Sequence, residues 1–145
     1  MFENRLINIM LIILVALTLV GVVTLVLVNQ FAQGNTSPDG EPTIDEIIEH
    51  SWETEEITTN LEDGNQFIRA QFRIHADSGN ARDELEQRDF QVNNIIIREL
   101  AGMSASELSS QDGIDELEER VRLQADELLD EGSIIRVYTT ERMIQ

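Results

Sequence analysis

A small α+β domain carried behind one N-terminal transmembrane helix is the architecture that this sequence predicts. Three observations lead there. Leu6 to Val28 is an unbroken run without a charged side chain. The run from Ile68 to Ala76 alternates apolar and polar residues, the period of a half-buried strand. Beyond it, two longer stretches repeat apolar residues at 3–4 spacing, as helices laid on one face of a sheet do.

The apolar run comes first. At 1.5 Å per residue its 23 residues extend about 34 Å as a helix, enough to cross a hydrocarbon core of about 30 Å. Asn8, Thr18 and Thr24 can be satisfied near an interface or by the helix's own carbonyls. A cleaved signal peptide is the competing reading, but its apolar core spans about 7–15 residues. Here the core before Ala32-Gln33-Gly34 is longer, the basic flank holds only Arg5, and no lipobox cysteine exists. An uncleaved anchor fits better. Arg5 precedes the span and the next basic residue is Arg69; retained positive charge marks the cytoplasmic side, with Glu3 partly offsetting it. The expected order is a cytoplasmic tail at 1–5, the span at 6–28, a linker with a short helix at 29–53, and an extracytoplasmic domain at 54–145. Thr18, Gly21 and Thr24 fall at i, i+3 and i+6, a small-residue strip suited to close helix contact. An ordinary lipid-facing anchor explains the strip equally well.

The chain carries 28 acidic and ten basic residues. Only Glu3 and Arg5 lie before the span, which leaves 27 acids and nine arginines beyond it, a charge of 9 − 27 = −18. Such a domain offers no basic groove, so nucleic-acid binding is excluded as a function class. Anionic headgroups repel it, and it is expected to stand off the membrane; the charge also simply serves solubility. Every basic residue is arginine, which stays protonated past pH 12, whereas lysine loses its charge near 10.4. Alkaline or saline surroundings would favour that choice, and so would a GC-rich genome. There is no cysteine, which rules out disulfides and thiolate metal sites. Roughly 90 residues outside suffice for one small domain, held by its apolar core.

Asn29 to Pro42, rich in Gln, Gly, Asn, Ser and Pro, reads as a flexible tether. Thr43 with Glu46 makes a capping box, and Ile44, Ile47 and Ile48 form a short stripe behind it, giving a brief helix to about Ser51. Glu55 to Leu61 reads as a strand, closed by a turn at Glu62-Asp63-Gly64-Asn65 in which glycine supplies positive φ. Ile68, Ala70, Phe72, Ile74 and Ala76 then face a core while Arg69, Gln71, Arg73 and His75 face water, completing a hairpin. Asn80 to about Ala101 is helical in two pieces that bend near Arg88-Asp89. Val92, Ile95, Ile96, Leu100 and Met103 share its buried face. Ser104 and Glu107 cap another short turn. The last helix opens around Asp112, buries Ile114, Leu117, Val121, Ala125 and Leu128, and ends at Gly132 as its C′ residue. Acids in its first turns suit the helix dipole. Ser133 to Thr140 closes the sheet through Ile135, Val137 and Thr139. The order is β-β-α-α-β, with Phe72, Ile96, Leu117, Val121 and Val137 expected deepest in the core.

No residue pattern points to catalysis. His50 and His75 are the only histidines, and neither has metal-ligand spacing. Glu55-Glu56, Glu118-Glu119 and Asp130-Glu131 are adjacent, solvated acids, whereas acid–base chemistry needs burial or a close partner to shift a pKa. Glu62-Asp63-Gly64-Asn65 has calcium-like residues without the loop spacing or the distal glutamate. No catalytic, metal or cofactor-binding residue is assigned, no cofactor is implied, and the chain reads as a non-enzyme.

Several pieces of local wording form a pattern in this order. They are Thr59-Asn60-Leu61, Phe67-Ile68 to Ile74, Arg88-Asp89-Phe90-Gln91-Val92-Asn93 leading into Ile95-Ile96-Ile97, Met103-Ser104 with Glu107-Leu108, Gly113 with Leu117, and Gly132 to Val137-Tyr138-Thr139 with the terminal Gln145. Behind a single N-terminal span, this wording resembles the flagellar basal body-associated protein FliL family. The resemblance implies a small membrane protein of the cell membrane and flagellum basal body, with a stomatin-type (SPFH-like) outer domain that assembles into a homo-oligomeric ring. It further implies that the ring encircles the ion-driven MotA/MotB-type stator, supporting its active state for motility and chemotaxis. Two departures stand out: almost no basic cytoplasmic tail, and a strongly acidic, lysine-free outer domain. An acidic ring beside a cation channel would raise the local cation concentration by electrostatic focusing. The rival reading is a membrane-anchored extracytoplasmic sensor or adaptor unrelated to motility; an apolar ligand pocket would favour it.

Overall fold

The structure, a computed structural model, describes residues 4–32 and 40–145. The chain divides into two compact units, Met1–Thr43 and Ile44–Gln145.

In the first unit α1 runs Arg5–Ala32, one turn beyond Val28. It is long and apolar enough to cross a membrane, and none of its apolar window is buried within the protein. A soluble protein's core helix would be covered. The Thr18 hydroxyl donates to the Val15 carbonyl at 2.9 Å and that of Thr24 to Val20 at 2.8 Å. Both polar side chains are thereby satisfied within the helix, as a lipid environment requires. Of the tether expected over Asn29 to Pro42, residues 29–32 instead continue α1 and residues 33–39 lie outside the described residues, as do residues 1–3 of the expected tail.

The second unit opens with α2 (Ile44–Glu49), which buries none of its residues; Ile44 and Ile48 are exposed. Three strands follow, β1 (Ser51–Glu53), β2 (Ile57–Asn60) and β3 (Phe67–Ala76). Four helices come next: α3 (Gly79–Gln87), α4 (Asp89–Ala101), α5 (Ala105–Ser109) and α6 (Gln111–Asp126). The last strand is β4 (Ile134–Ile144). The order beyond α2 is therefore β-β-β-α-α-α-α-β rather than β-β-α-α-β. The added strand, β1, lies where the sequence reading left only linker and helix end. Three residues around one tryptophan are too few to show a period.

β3 is the spine of an antiparallel sheet. β1 and β2 lie end to end along one of its edges and β4 along the other. Thr54 bridges the gap between β1 and β2. Its amide donates to the Phe72 carbonyl at 2.9 Å, and its hydroxyl accepts from the Phe72 amide at 3.1 Å. A buried threonine thus supplies the ladder bond that the interruption removes. At the far end, Phe67 and Gln145 exchange two backbone bonds of 2.9 Å, so the last residue is zipped into the sheet.

Ile68, Ala70, Phe72, Ile74 and Ala76 are all buried, as the alternation predicts. Against them pack Val92, Ile96 and Leu100 of α4, Leu108 of α5, and Leu117, Val121 and Ala125 of α6. The five residues expected deepest are no more than 1% exposed. Ile95, Ile114 and Leu128 are only partly buried at the margin of this core. The bend near Arg88 is the junction of α3 and α4, and the Ser104–Glu107 capping box forms with both reciprocal bonds.

β4 departs from strict alternation. The register shifts between Gln71 and Phe72 and again between His75 and Ala76, leaving Thr140 and Ile135 as extra residues on β4. Each bulge flips the inside–outside order. Consequently Ile134 is buried and Ile135 is 52% exposed, which corrects the expected inward placement of Ile135, while Val137 is buried and Thr139 half-buried as read. The strand also runs past Thr140 to Ile144. Gly132 does adopt positive φ, +83°, but α6 has ended at Asp126. Gly132 therefore serves the turn into β4 and is not the C′ residue of the helix.

Candidate functional site

The core occupies one side of the sheet and leaves the other as a distinct surface. Cross-strand register brings Arg69 beside Thr58 and Met143, Arg73 beside Glu53 and Tyr138, and His75 beside Ser51 and Arg136. Phe67, Tyr138 and Met143 on this outer side are 49%, 37% and 45% exposed. Arg69 pairs with Glu56 at 3.3 Å and Arg73 with Glu53 at 3.0 Å. The Arg136 guanidinium lies 5.1 Å from the centre of the Tyr138 ring, within cation–π range.

His75 shares the polar register of this face, yet it is 4% exposed, which corrects its placement on a wet surface. Burial pushes its imidazole pKa below the ordinary value, and the nearby His50 adds to the shift. His50 itself is half-buried at the end of α2, and its carbonyl accepts from the Ala76 amide at 3.0 Å.

The paired acids take structural roles. Glu56 holds Arg69. The Glu118 carboxylate accepts from the Thr139 amide and hydroxyl, each at 2.9 Å, while Asp126 accepts from the Ile134 amide at 2.7 Å. These two α6 carboxylates cap the outward edge of β4. Glu119 pairs with Arg122 at 2.7 Å, and Asp130 with Arg88 at 3.2 Å. A cluster missed in the sequence centres on Glu84, which accepts from the Asp130 amide at 3.1 Å and from Arg88 at 2.8 Å. The Asp130 amide bond, followed by Arg88, holds the Glu84 pKa below the usual carboxylate value against an opposing desolvation. Its Glu84–Arg88 spacing was legible; the approach of Asp130 was not. The 62–65 segment is a turn with Gly64 at φ +67°, and among the described residues no cluster of His, Asp and Glu could hold a metal ion.

Three open, polar grooves mark the second unit, whereas Ile7, Met10, Leu11 and Leu14 of α1 line an open apolar one of about 330 Å³. The first polar groove, of about 420 Å³, lies between the start of α6 and residues 139–142. A second, of about 320 Å³, separates α6 from β4, with Ile135 between Asp115, Glu119 and Arg136. A third, of about 460 Å³, is lined by Glu84, Arg88, Phe90 and Asp130. Each of the three polar grooves is walled chiefly by charged, amide or hydroxyl side chains.

Comparison with known proteins decides the family. The model for "Flagellar basal body-associated protein FliL" matches residues 52–145, beginning in β1 and ending at the last residue. The chain belongs to the FliL family. This FliL-family chain is also 35% identical over 117 residues to the "Flagellar protein FliL" of Bacillus subtilis (strain 168), an alignment covering 79% of this chain and 83% of that one. FliL proteins are structural flagellar proteins rather than a known family of enzymes. Flagellar basal-body association thus joins one candidate N-terminal membrane helix.

Proposed function

We propose that this FliL-family chain scaffolds the ion-driven flagellar stator of the MotA/MotB type, as a homo-oligomeric ring around it, in the service of motility and chemotaxis. It does so as a single-pass protein with a cytoplasmic N-terminus and residues 54–145 outside, folded in the stomatin-like manner. The observation that carries the reading is family membership over the whole domain from residue 52 to 145, joined to one helix of membrane-spanning length. A torque-generating channel needs lateral support, and tethered domains provide it without chemistry. The grooves of the second unit are open and polar, which favours this role over a small-ligand sensor, whose folded domain would bury an apolar pocket.

Pull-down of the detergent-solubilised full chain tests it: stator subunits co-purify, and a gene deletion impairs swimming or swarming. Clean recovery without stator subunits, with motility unchanged on deletion, would overturn the proposal in favour of an adaptor unrelated to movement. Protease treatment of intact cells, or of spheroplasts where an outer membrane intervenes, should digest residues 54–145. Full protection refutes the orientation.

A further inference from the structure

α2 is lightly held. It buries none of its residues, and Glu46, Ile47 and the following His50 are half-buried on one side of the turn, with Asp45, Ile48 and Glu49 exposed on the other. It packs against β1, itself three residues long. Two hydrogen bonds fasten its end. The Ser51 hydroxyl donates to the Ile47 carbonyl, and the Ala76 amide donates to the His50 carbonyl at 3.0 Å. In chain order α2 is the last element before the sheet, so whatever releases it lengthens the connection from α1. The fastening lies beside His75, the register partner of Ser51.

His75 is a buried base with no part in the function proposed above, and the charges around it are assignable element by element. β4 sets Arg136 opposite it. Along β3, Arg73 follows on the same face, tied to Glu53 of β1 at 3.0 Å. α3 packs against β1 and β3; its Arg82 is tied to Asp83 at 2.8 Å and its Glu84 to Arg88, while Glu86 is exposed. In the connection to α3, Asp77 Oδ1 is turned toward Gly132. α2 contributes Asp45, Glu46, Glu49 and, directly after it, His50. Glu46 precedes His50 by four residues, so a charged His50 suits the turn itself and the negative end of its dipole. A proton on His75 instead meets burial and two basic neighbours, His50 and Arg136. Burial, with His50 adding to it, holds the imidazole below its ordinary pKa.

We infer that α2 is an acid-released latch: with His50 and His75 neutral it closes on the end of the sheet, and protonation of the pair lifts residues 44–50 away, hinged at Ser51. Opening admits water to His75 and separates the two imidazolium charges, so the open form binds protons more readily than the closed one. The closed form is therefore favoured above the ordinary imidazole value and gives way as pH falls below it. The turn keeps its own hydrogen bonds on release, and six residues add about 9 Å of helix to the reach of the chain between α1 and β1. The latch belongs to the second unit alone and does not depend on a stator or a ring.

A glutamate-specific protease reads the latch through cleavage after Glu46 and Glu49. The full chain in detergent is digested between about pH 8 and pH 5, with each rate divided by that of a free peptide of the same sequence. Cleavage should rise by up to about tenfold per pH unit below the imidazole range, the limit for one linked proton. Trp52, the single tryptophan, lies in β1 next to the hinge, and its emission should shift over the same interval while the far-ultraviolet signal of the domain holds. His75→Gln should abolish the rise and leave α2 protected throughout. His50→Gln, which keeps the buried imidazole but removes its like-charged neighbour, should move the rise to lower pH, and it decides the matter if His75→Gln fails to fold. Three results overturn the inference: a wild-type cleavage rate independent of pH, a rise unchanged in either variant, or loss of the far-ultraviolet signal in step with cleavage. The last would mean that acid melts the whole domain rather than opening α2.

Discussion

Gly113 is a glycine because of a backbone that passes beside it. A Cβ built there would lie 1.9 Å from the Glu107 carbonyl oxygen, so α6 can begin directly after α5 only with no side chain at this position. Gly113→Ala is expected to destabilise the domain by about 2–4 kcal/mol, since the obstructing atoms are backbone and cannot yield locally. Urea unfolding of the full chain in detergent measures it, and an unchanged midpoint would refute the close approach. Gly132 combines positive φ with Asp77 Oδ1 2.7 Å from a would-be Cβ, and its replacement should be similarly costly. His75 makes a different prediction. Its folded pKa is depressed by burial, so the unfolded chain binds the proton first as pH falls. Stability from this site is complete above the imidazole's ordinary value of 6.5 and declines as pH drops below it. The margin by which the wild type exceeds His75→Gln in stability should therefore shrink between about pH 8 and pH 5. A constant margin across that range contradicts the burial.

β4 is the element whose exposed edge most needs protection. It is an edge strand of 11 residues, a length that would template pairing with other chains if its edge were bare. Asp126 and Glu118 of α6 occupy the Ile134 and Thr139 amides, and the two bulges twist the strand further from a flat ladder. Asp126→Ala should cost about 1–3 kcal/mol by orphaning a part-buried amide. It should also raise light scattering on warming, where a surface aspartate without this role would leave scattering unchanged. The α5 cap is a milder case. Ser104→Ala removes the hydroxyl that accepts the Glu107 amide and should cost about 1 kcal/mol, read as a small fall in melting temperature. Helix ends of this kind are legible from a Ser-x-x-Glu spacing alone. The edge caps were not, because Glu118 and Asp126 look like solvated helix acids until β4 is laid beside them.

Across the protein, the formal charge is −18. In the arrangement proposed above, beside the stator, the domain's carboxylates would concentrate cations at the channel mouth, within a Debye length of about 8 Å at 0.15 M salt. Neutralising Glu116, Glu119 and Glu127 together should raise the proton or sodium level needed for half-maximal swimming speed. An unchanged level would dismiss the focusing role. Because Glu116 and Glu119 pair with Arg120 and Arg122, the melting temperature is measured alongside, and only a shift at unchanged stability counts toward focusing.

What one-dimensional pattern could settle was settled by periodicity. The charge-free run, the alternation in β3, and the 3–4 stripes of α4 and α6 each report a local geometry that repeats every few residues. The FliL resemblance added the order in which these pieces occur. Tertiary placement decided the rest: β1 beside β3, the burial of His75, the exposure of Ile135, and the pairing of Glu84 with Asp130. Those features arise where distant segments meet or where a bulge breaks the period, and a repeat along the chain carries no record of either.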